Sequence, residues 1–279
     1  MKGSVAILQR LVAAALPKRV KRSLASTRVG RCLRGERIGV MSAGVGVGLR
    51  FMCGPSNPEY LSGVNEIPIQ QVVAKHLPPG AVMYDVGANV GFFSVIAARL
   101  VGTSGTVYAF EPGSANASYI RRNARLNGFS NIQVVESAVS SASGRRKLWV
   151  SACSEGHALL GTDKPPDAVA LVDVDSIALD DFVFTYGALP PHLVKIDVEG
   201  AELDVLAGMS RVLDRIAPVV VYEADDADPQ RLREKQEAID AVLGSHGYAI
   251  TRIHGAYDIL TWHVSHGLAV PSAASGRPA

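Results

Sequence analysis

A chain of 279 residues that is 48% hydrophobic and 6% aromatic can bury the core of one ordinary α/β domain with extensions at its ends. Its three cysteines, Cys32, Cys53 and Cys153, are too few and too scattered for a disulfide framework or a zinc site. We therefore expect a single enzyme with reduced thiols in a cytoplasmic setting.

The net charge of +2 hides an uneven distribution along the chain. Residues 1–50 carry eleven Lys or Arg and one acid, Glu36, which leaves 17 bases and 25 acids for the rest. The basic run Lys18–Arg37 fits either attraction to an anionic membrane surface or polyanion, or a solvated helical extension. We therefore predict a basic, partly helical extension over residues 1–50 and leave open a peripheral contact with the inner membrane face.

The apolar stretch Val5–Leu16 has the composition of a signal-peptide core, but Gln9 and Arg10 interrupt it and no clear cleavage site follows. It is also too short to span a bilayer. Its apolar residues recur at helical spacing, which predicts an amphipathic helix lying on a membrane or on the domain.

From Ala81 onward, short apolar runs alternate with helical patterns, which is typical of a parallel sheet covered by helices. Five buried parallel strands are predicted at Ala81–Val86, Thr106–Phe110, Ile132–Val135, Leu193–Ile196 and Val219–Tyr222. Connecting helices are predicted at Phe92–Leu100, Ala115–Leu126, Ala201–Leu213 and Arg231–Leu243.

The remaining segments complete the predicted organisation. Tyr248–Ile253 and Ile259–Val264 are expected to form a closing antiparallel pair. Residues 51–80 are predicted to lead into a domain over residues 81–266. Within that domain, residues 144–184 are predicted to form an insertion at the rim of the site, with short strands at Trp149, Val150 and Val169–Val174. The tail over 267–279, rich in Ser, Ala, Gly and Pro, is predicted to be disordered.

A glycine-containing turn joins the first predicted strand to its helix, over Asp85-Val86-Gly87-Ala88-Asn89-Val90-Gly91. Gly87 permits unusual dihedrals and close approach of a ligand, and Gly91 permits close packing of helix on strand. Asn89 tolerates positive φ better than other non-glycine residues. The turn fits a nucleotide-like cofactor site, and it also fits a purely structural connection.

The spacing of this turn departs from the dinucleotide pattern G-x-G-x-x-G, because Asn89 replaces the middle glycine and Gly91 comes one residue early. A pyrophosphate needs bare amides at the helix start. The amino-acid end of S-adenosylmethionine, in contrast, can be held by amides and side chains together. This weakens a nicotinamide or flavin interpretation.

Two further strand ends face the same predicted edge. Glu111, in Phe110-Glu111-Pro112, could accept hydrogen bonds from both ribose hydroxyls, or could be a surface residue before a turn. Ser137 and Ala138 follow the third strand, where small side chains leave room for an adenine ring, although Ser137 is equally consistent with a turn residue.

The fourth strand runs into Lys195-Ile196-Asp197-Val198-Glu199-Gly200-Ala201-Glu202, which places three acids and a lysine around its end. Ligands of open α/β sheets bind outside the carboxyl ends of the strands, so Asp197 is predicted to face the same crevice as Asp85 and Glu111. The alternative is helix capping by the acids, for which Glu202 is the clearest candidate.

Together with Asn123, Asn127-Gly128 and Leu179-Asp180-Asp181, these motifs make residues 80–224 resemble the FkbM-type methyltransferases. The Lys195–Glu202 motif is the most distinctive of the set. The resemblance implies a Rossmann-like class I methyltransferase fold: a mostly parallel seven-stranded sheet with an antiparallel closing strand and helices on both faces. It also implies S-adenosylmethionine as donor and a hydroxyl of a sugar, glycolipid or secondary metabolite as acceptor, with Asp85, Gly87, Asn89, Gly91 and Glu111 lining the cofactor.

Methyl transfer is an in-line displacement, so the enzyme must align donor and acceptor and help to remove a proton. Asp197 is the first candidate for that role, with Glu199 and Glu223 as alternatives. Lys195 would stabilise a developing alkoxide or would simply lie beside a carboxylate. His157 is either a base or an exposed loop histidine.

No metal site is predicted, because helix geometry directs Asp197, Glu199 and Glu202 in different directions, although carboxylates of this kind suit Mg²⁺. Two other functions stay open: an NAD(P)-type oxidoreductase using the same turn, and a non-catalytic binding protein that keeps the fold. Nucleic acid is not expected as a partner, because the predicted site is acidic and lacks an aromatic-interleaved basic groove.

Overall fold

The computed structural model describes residues 38–54, 56–151, 157–162, 164–165, 167–255 and 263–272. The predicted helix Val5–Leu16 and the basic run Lys18–Arg37 lie outside these residues. In the described part of the predicted N-terminal extension, Ile38–Val40 (β1) and Arg50–Met52 (β2) pair as a two-stranded antiparallel sheet. The described residues 38–50 thus consist of strand and turn, and the prediction of a partly helical extension before them stays a prediction.

The lead-in segment packs directly on the main domain. After β2 come a 3-10 helix at Pro58–Leu61 and helix α1 at Ile67–His76. Phe51, Ile69 and Val73 are fully buried in the same apolar cluster as Met83 and Val221 of the central sheet. Residues well before Ala81 thus contribute to the core.

A seven-stranded sheet forms the centre of the molecule. Its first strands and helices are Val82–Val86 (β3), Phe92–Val101 (α2), Thr106–Phe110 (β4), Ser114–Leu126 (α3) and Ile132–Val135 (β5). The second half comprises Leu193–Ile196 (β10), Glu202–Ala207 (α5), Ser210–Arg215 (α6), Val219–Asp226 (β11), Pro229–Ser245 (α7), Tyr248–Ile253 (β12) and His263–Pro271 (β13).

The strand order is β12-β13-β11-β10-β3-β4-β5, and β13 is the strand that runs antiparallel to its neighbours. The chain moves outward from β3 through β4 and β5, then resumes on the other side of β3 with β10 and β11. This reversal beside β3 creates a crevice at the carboxyl ends of the strands, where open α/β sheets bind ligands. The predicted Rossmann-like class I methyltransferase fold is confirmed.

A second sheet occupies the predicted insertion. It contains Ala138–Val139 (β6), Gly144–Ser151 (β7), Ala158–Leu159 (β8) and Ala168–Ile177 (β9), in the order β6-β9-β7-β8, and helix α4 follows at Leu179–Phe184. The strands predicted around Trp149 and Val169–Val174 are confirmed, as parts of longer strands.

The single helix predicted over Ala201–Leu213 is wrong, because α5 and α6 are separate. Gly208 lies so close to the main-chain oxygen of Ser140 that a Cβ would collide with it. A new helix then begins because Asp180 accepts hydrogen bonds from the N–H groups of Arg211 at 3.0 Å and Val212 at 2.9 Å.

The predicted disordered tail is also wrong where the structure describes it. Gly267 pairs with Tyr222 inside the sheet, and the Tyr222 ring covers it where a Cβ would stand. Ala269 is fully buried. Small residues here allow a central strand to pass under an aromatic ring, so composition alone misjudged this segment, while residues 273–279 lie outside the described part.

The closing antiparallel pair is confirmed, but its second strand is His263–Pro271 rather than Ile259–Val264, and residues 256–262 are not described. Within the described ranges, every helix falls short of the length and apolarity that a membrane span requires.

Candidate active site

The turn after β3 adopts the backbone that its sequence predicts. Gly87, Asn89 and Gly91 all have positive φ, at 79°, 50° and 87°. A Cβ on Gly87 would collide with the main-chain oxygen of Asp197 at the end of β10, so glycine is required there for space as well as for conformation. The turn is thereby pressed against the strand end that carries the acidic motif.

Glu111 reaches from the end of β4 into this turn. Its Oε2 accepts a hydrogen bond from the main-chain N–H of Asn89 at 2.9 Å, and its Oε1 accepts one from Gly113 at 2.8 Å. The side chain is buried, and burial raises the pKa of Glu111 to about 8 against the opposing effect of these two hydrogen bonds. The carboxyl group is thus fixed in position beside the turn.

The side-chain oxygen of Asn89 is a buried hydrogen-bond acceptor whose partner is absent among the described residues. Its amide nitrogen donates to Oγ of Ser56 at 3.1 Å, whereas its Oδ1 is buried and has no hydrogen-bond partner among the described residues. Buried acceptors in folded proteins are normally satisfied. The unsatisfied oxygen is therefore a marker for a bound donor group at this turn.

Asp85 lies behind the turn rather than in it. It is almost completely buried, and Oγ of Ser94 on α2 donates to its Oδ2 at 2.5 Å. Burial raises the pKa of Asp85, although the nearby ammonium group of Lys195 opposes this. Direct contact between Asp85 and a cofactor stays a prediction.

Ser137 and Ala138 follow β5 at the same edge. The Ser137 N–H donates to the carbonyl of Val135 at 2.8 Å, and the N–H of Glu111 donates to the same carbonyl at 3.0 Å. Ala138 is buried against Ala201 in the cluster below the second sheet. Both the turn role and the adenine role of Ser137 are compatible with this placement.

His157 lies beside the Glu111 side of the crevice. Its Nδ1 accepts a hydrogen bond from the Ser151 N–H at 3.2 Å, and its ring is close to the position where a Cβ on Gly113 would stand. Burial lowers the pKa of His157. The side chain is half-buried rather than exposed, and its catalytic role stays a prediction.

Lys195 and Asp197 form an ion pair at the end of β10, with Nζ 2.5 Å from Oδ2. The lysine side chain is 4% exposed and the aspartate side chain 36% exposed, so Asp197 is the member that a ligand can reach. The ammonium also lies 4.5 Å from the centre of the Phe93 ring. Burial alone would lower the pKa of Lys195, but the carboxylates of Asp197, Glu66 and Asp85 outweigh it and raise that pKa.

The other acids of the motif have different surroundings. Glu202 is buried, and its Oε1 accepts a hydrogen bond from the N–H of Gly200 at 3.0 Å, which is a local contact at the start of α5. Burial, reinforced by the charge of Asp225, raises the pKa of Glu202 to about 8. Glu199 is half-buried in the loop between Asp197 and this helix.

Two residues that the sequence did not single out complete the charged group: Glu66, just before α1, and His266 on β13. The register places His266 opposite Glu223, with Nε2 of His266 2.6 Å from Oε2 of Glu223 and 3.8 Å from Oε2 of Glu66. The available signal was weak: His266 is the last residue of the predicted domain, in Val264-Ser265-His266-Gly267, immediately before the predicted tail. One donor atom from each of the three residues lies within 4.8 Å of the others, close enough for a shared ion.

Other residues of the family motifs hold the framework. Asn123 is buried, accepts from the Met52 N–H at 2.8 Å, and donates to the carbonyls of Met52 at 3.0 Å and Val90 at 2.9 Å. Asn127 makes a similar pair with the main chain of Arg50. These asparagines fasten β2 and the cofactor turn to α3.

The strand order is that of a Rossmann-like methyltransferase fold, and the comparison with known families defines the chain as a methyltransferase. The methyltransferase FkbM domain model matches residues 85–250, and the chain belongs to this family. It is 28% identical over 206 residues to the 31-O-demethyl-FK506 methyltransferase FkbM of Streptomyces tacrolimicus, covering 64% of this chain and 73% of that one. It is 31% identical over 150 residues to the hexuronic acid methyltransferase AglP of Haloferax volcanii, covering 53% and 58%.

The fold likeness extends to more distant proteins. The crystal structure of Trm5b from Pyrococcus abyssi superimposes with a TM-score of 0.51 at 13% identity, covering 85% of this chain and 56% of that one. At this identity the likeness supports the fold alone. The chain spans little more than half the length of that structure.

Proposed function

We propose that this protein is an S-adenosylmethionine-dependent O-methyltransferase that acts on a hydroxyl group of a small molecule or glycan. The observation that carries the cofactor assignment is the placement of Glu111. A buried carboxyl group at the end of β4, tied to the N–H of Asn89, can accept hydrogen bonds from the two ribose hydroxyls of a nucleoside.

The residues around the turn fit this cofactor. Gly87 has no side chain, so its main chain is open to a ligand in the crevice. The buried Oδ1 of Asn89, which has no hydrogen-bond partner among the described residues, can accept a hydrogen bond from an amino group of the cofactor. Ser137 and Ala138 would border the adenine. Side chains such as Asn89 supply part of the polar surface at this turn. This suits the amino-acid group of S-adenosylmethionine better than a pyrophosphate, which binds to main-chain N–H groups at a helix start.

When bound, the cofactor supplies a methyl group on a sulfonium, which is an activated leaving group. The protein must then orient the acceptor and remove its proton. Asp197 is the more accessible member of the ion pair with Lys195 and serves to orient the acceptor hydroxyl. Lys195 stays protonated and fixes the direction of the Asp197 carboxylate.

The acceptor class is inferred from relatives. One is named for a hexuronic acid, which offers hydroxyl groups, and another for 31-O-demethyl-FK506, whose name describes a compound that lacks a methyl group on an oxygen. Glu199 and His157 remain candidates for contact with the acceptor, and we place the reaction in the cytoplasm. Peripheral membrane contact through the basic N-terminal residues stays part of the proposal and would bring the enzyme to a lipid-linked glycan.

The test is a pair of binding and labelling experiments on the full chain. Calorimetric titration with S-adenosylmethionine should show binding, and titration with NADH should show none; the reverse result would favour an oxidoreductase. Methyl-labelled donor with fractionated glycolipids and glycans should give a labelled methyl ether, identified by mass spectrometry. Label confined to protein or nucleic acid would refute the acceptor class, and binding without any turnover would favour a non-catalytic protein.

A further inference from the structure

The buried triad of Glu66, His266 and Glu223 lies near Asp197, the residue to which the proposed function assigns the orientation of the acceptor. In the parallel register, Ile196 pairs with Tyr222, so the residues that follow them, Asp197 and Glu223, are neighbours on one face of the sheet. Residues that could accept a proton next to Asp197 therefore lie at the ends of β10 and β11, on the face of the sheet that packs against α1.

Exposure distinguishes the members of the triad. The side chain of Glu223 is 18% exposed, whereas those of His266 and Glu66 are 4% and 3% exposed. Glu223 thus stands at the open end, next to the still more exposed Asp197, with the histidine and the second glutamate behind it. This is the arrangement of a carboxylate that a ligand can reach and that is backed by a titratable partner.

We infer that Glu223 and His266 together accept the proton of the acceptor hydroxyl, and that Glu66 is a positioning residue that keeps His266 basic. This inference rests on the proposed function. In the reaction, the acceptor oxygen forms a bond to the methyl carbon and the carbon–sulfur bond breaks with its electron pair left on sulfur. The hydroxyl proton moves to an oxygen of the Glu223 carboxylate, and His266, hydrogen-bonded to Oε2 of Glu223, shares the proton balance of the pair.

The electrostatics of the triad agree with this role. Burial would lower the pKa of His266, but the hydrogen bond to Glu223 and the charges of Glu66 and Asp197 outweigh it and raise that pKa. Burial and the charge of Asp197 raise the pKa of Glu223 to about 7, against the effect of His266. Lys195, held by Asp197, and the buried Asp85 are further titratable groups nearby, and both interact electrostatically with Glu66. Glu223 and His266 therefore titrate as a coupled pair, with the pKa of each raised above its ordinary value.

A shared metal ion is the rival use of the same atoms. The contact of 2.6 Å between Nε2 of His266 and Oε2 of Glu223 is a hydrogen-bond distance, in which the nitrogen is occupied by the carboxylate. The ammonium of Lys195, which acts on Glu66 electrostatically, already supplies a positive charge at this place. The geometry therefore favours proton sharing over ion binding.

The first test needs no acceptor. In the full chain labelled with ¹⁵N-histidine, the His266 signal, identified by its loss in His266→Gln, should titrate above pH 6.5. Glu66→Gln and Glu223→Gln should each lower that midpoint, while Glu59→Gln, on an exposed residue of the same lead-in segment, should leave it unchanged. A midpoint at or below 6.5, or one that neither variant moves, would overturn the inference.

The second test uses labelled S-adenosylmethionine with a mixture of methyl glycosides of hexoses and hexuronic acids. Glu223→Gln should lower turnover about 100-fold or more with unchanged donor affinity, and Glu66→Gln should shift the acidic limb of the pH profile to lower pH. Turnover of Glu223→Gln within about threefold of wild type, or loss of activity in EDTA with recovery on adding Mn²⁺, would overturn the inference. Failure of the wild type to bind the donor would instead refute the proposed function, and the histidine titration would still decide the protonation of the triad.

Discussion

The carboxylate of Glu111 crosses from the end of one strand to the main-chain N–H of Asn89, in the turn that follows the neighbouring strand, at 2.9 Å. This contact ties the two most informative motifs of the crevice to each other. It also means that Glu111 supports the shape of the cofactor turn in addition to any contact it makes with a nucleoside.

Glu111→Gln tests this double role, because it keeps the size of the side chain but replaces one acceptor oxygen with a donor. We expect the dissociation constant for S-adenosylmethionine to rise about 10- to 100-fold, because the amide turns a donor toward groups that donate to the carboxyl oxygens, and a buried group left without its partner costs about 1–3 kcal/mol. Isothermal titration calorimetry measures the change. Glu136→Gln, on the exposed residue paired with Arg121 near the next strand end, should bind like wild type; equal weakening in both would argue against a specific contact.

Gly87→Ala tests the packing of the cofactor turn against Asp197. Alanine would be strained at φ 79°, and its Cβ would collide with the strand-end carbonyl, so we expect a loss of about 3 kcal/mol or more in unfolding free energy. Gly187→Ala is the matched control, since φ there is 73° but the space is open, and about 1 kcal/mol is expected. Urea denaturation followed by circular dichroism compares them, and equal losses would contradict the steric argument.

Asn123→Ala should loosen the lead-in segment from the cofactor turn. The change leaves main-chain groups of Met52 and Val90 without their partner in a buried place, which costs about 2–4 kcal/mol of unfolding free energy. Asn127→Ala removes similar hydrogen bonds at a more exposed site and should cost about 1 kcal/mol. If the two variants unfold at the same urea concentration, burial is not what makes Asn123 important.

Glu202→Gln should change how stability depends on pH. A carboxyl group whose pKa is raised to about 8 in the folded protein holds a proton there that the unfolded chain has released. Its contribution to stability is therefore present below about pH 4.5 and lost as pH rises toward 8, by up to about 1.4 kcal/mol per pH unit.

The measurement is the unfolding free energy of wild type and variant at intervals from pH 5 to 8. Glu202→Gln should flatten the decline, and adding Glu111→Gln should flatten it further, because burial raises the pKa of Glu111 in the same direction. A smaller decline should remain, because the pKa values of Glu223 and His266 are also raised in the folded protein. Glu237→Gln, on an exposed residue of α7, should leave the decline unchanged. An equal pH dependence in wild type and Glu202→Gln would contradict the burial of Glu202 in protonated form.

The sequence by itself determined the central strands, since β4, β5 and β10 begin and end where the apolar runs do. A short run of apolar, β-branched residues bounded by turn residues is sufficient to predict a buried strand, and such a run can be identified without knowing its tertiary contacts. The glycine turn, Glu111 and the Lys195–Glu202 motif were likewise visible, because their chemistry is encoded in short contiguous stretches. The family followed from the same stretches.

Features that depend on contacts between residues far apart in the chain could be determined only from the tertiary structure. Helix α6 begins where Asp180, from a segment about 30 residues earlier, accepts hydrogen bonds from its first N–H groups, and β13 can pair with β11 at this point because Gly267 leaves room for the Tyr222 ring. Glu66 and His266 belong to no motif and meet Glu223 only because α1 and β13 pack on the same sheet. Sequence patterns record which faces are apolar, whereas the partners of a buried charge depend on pairing between segments far apart in the chain.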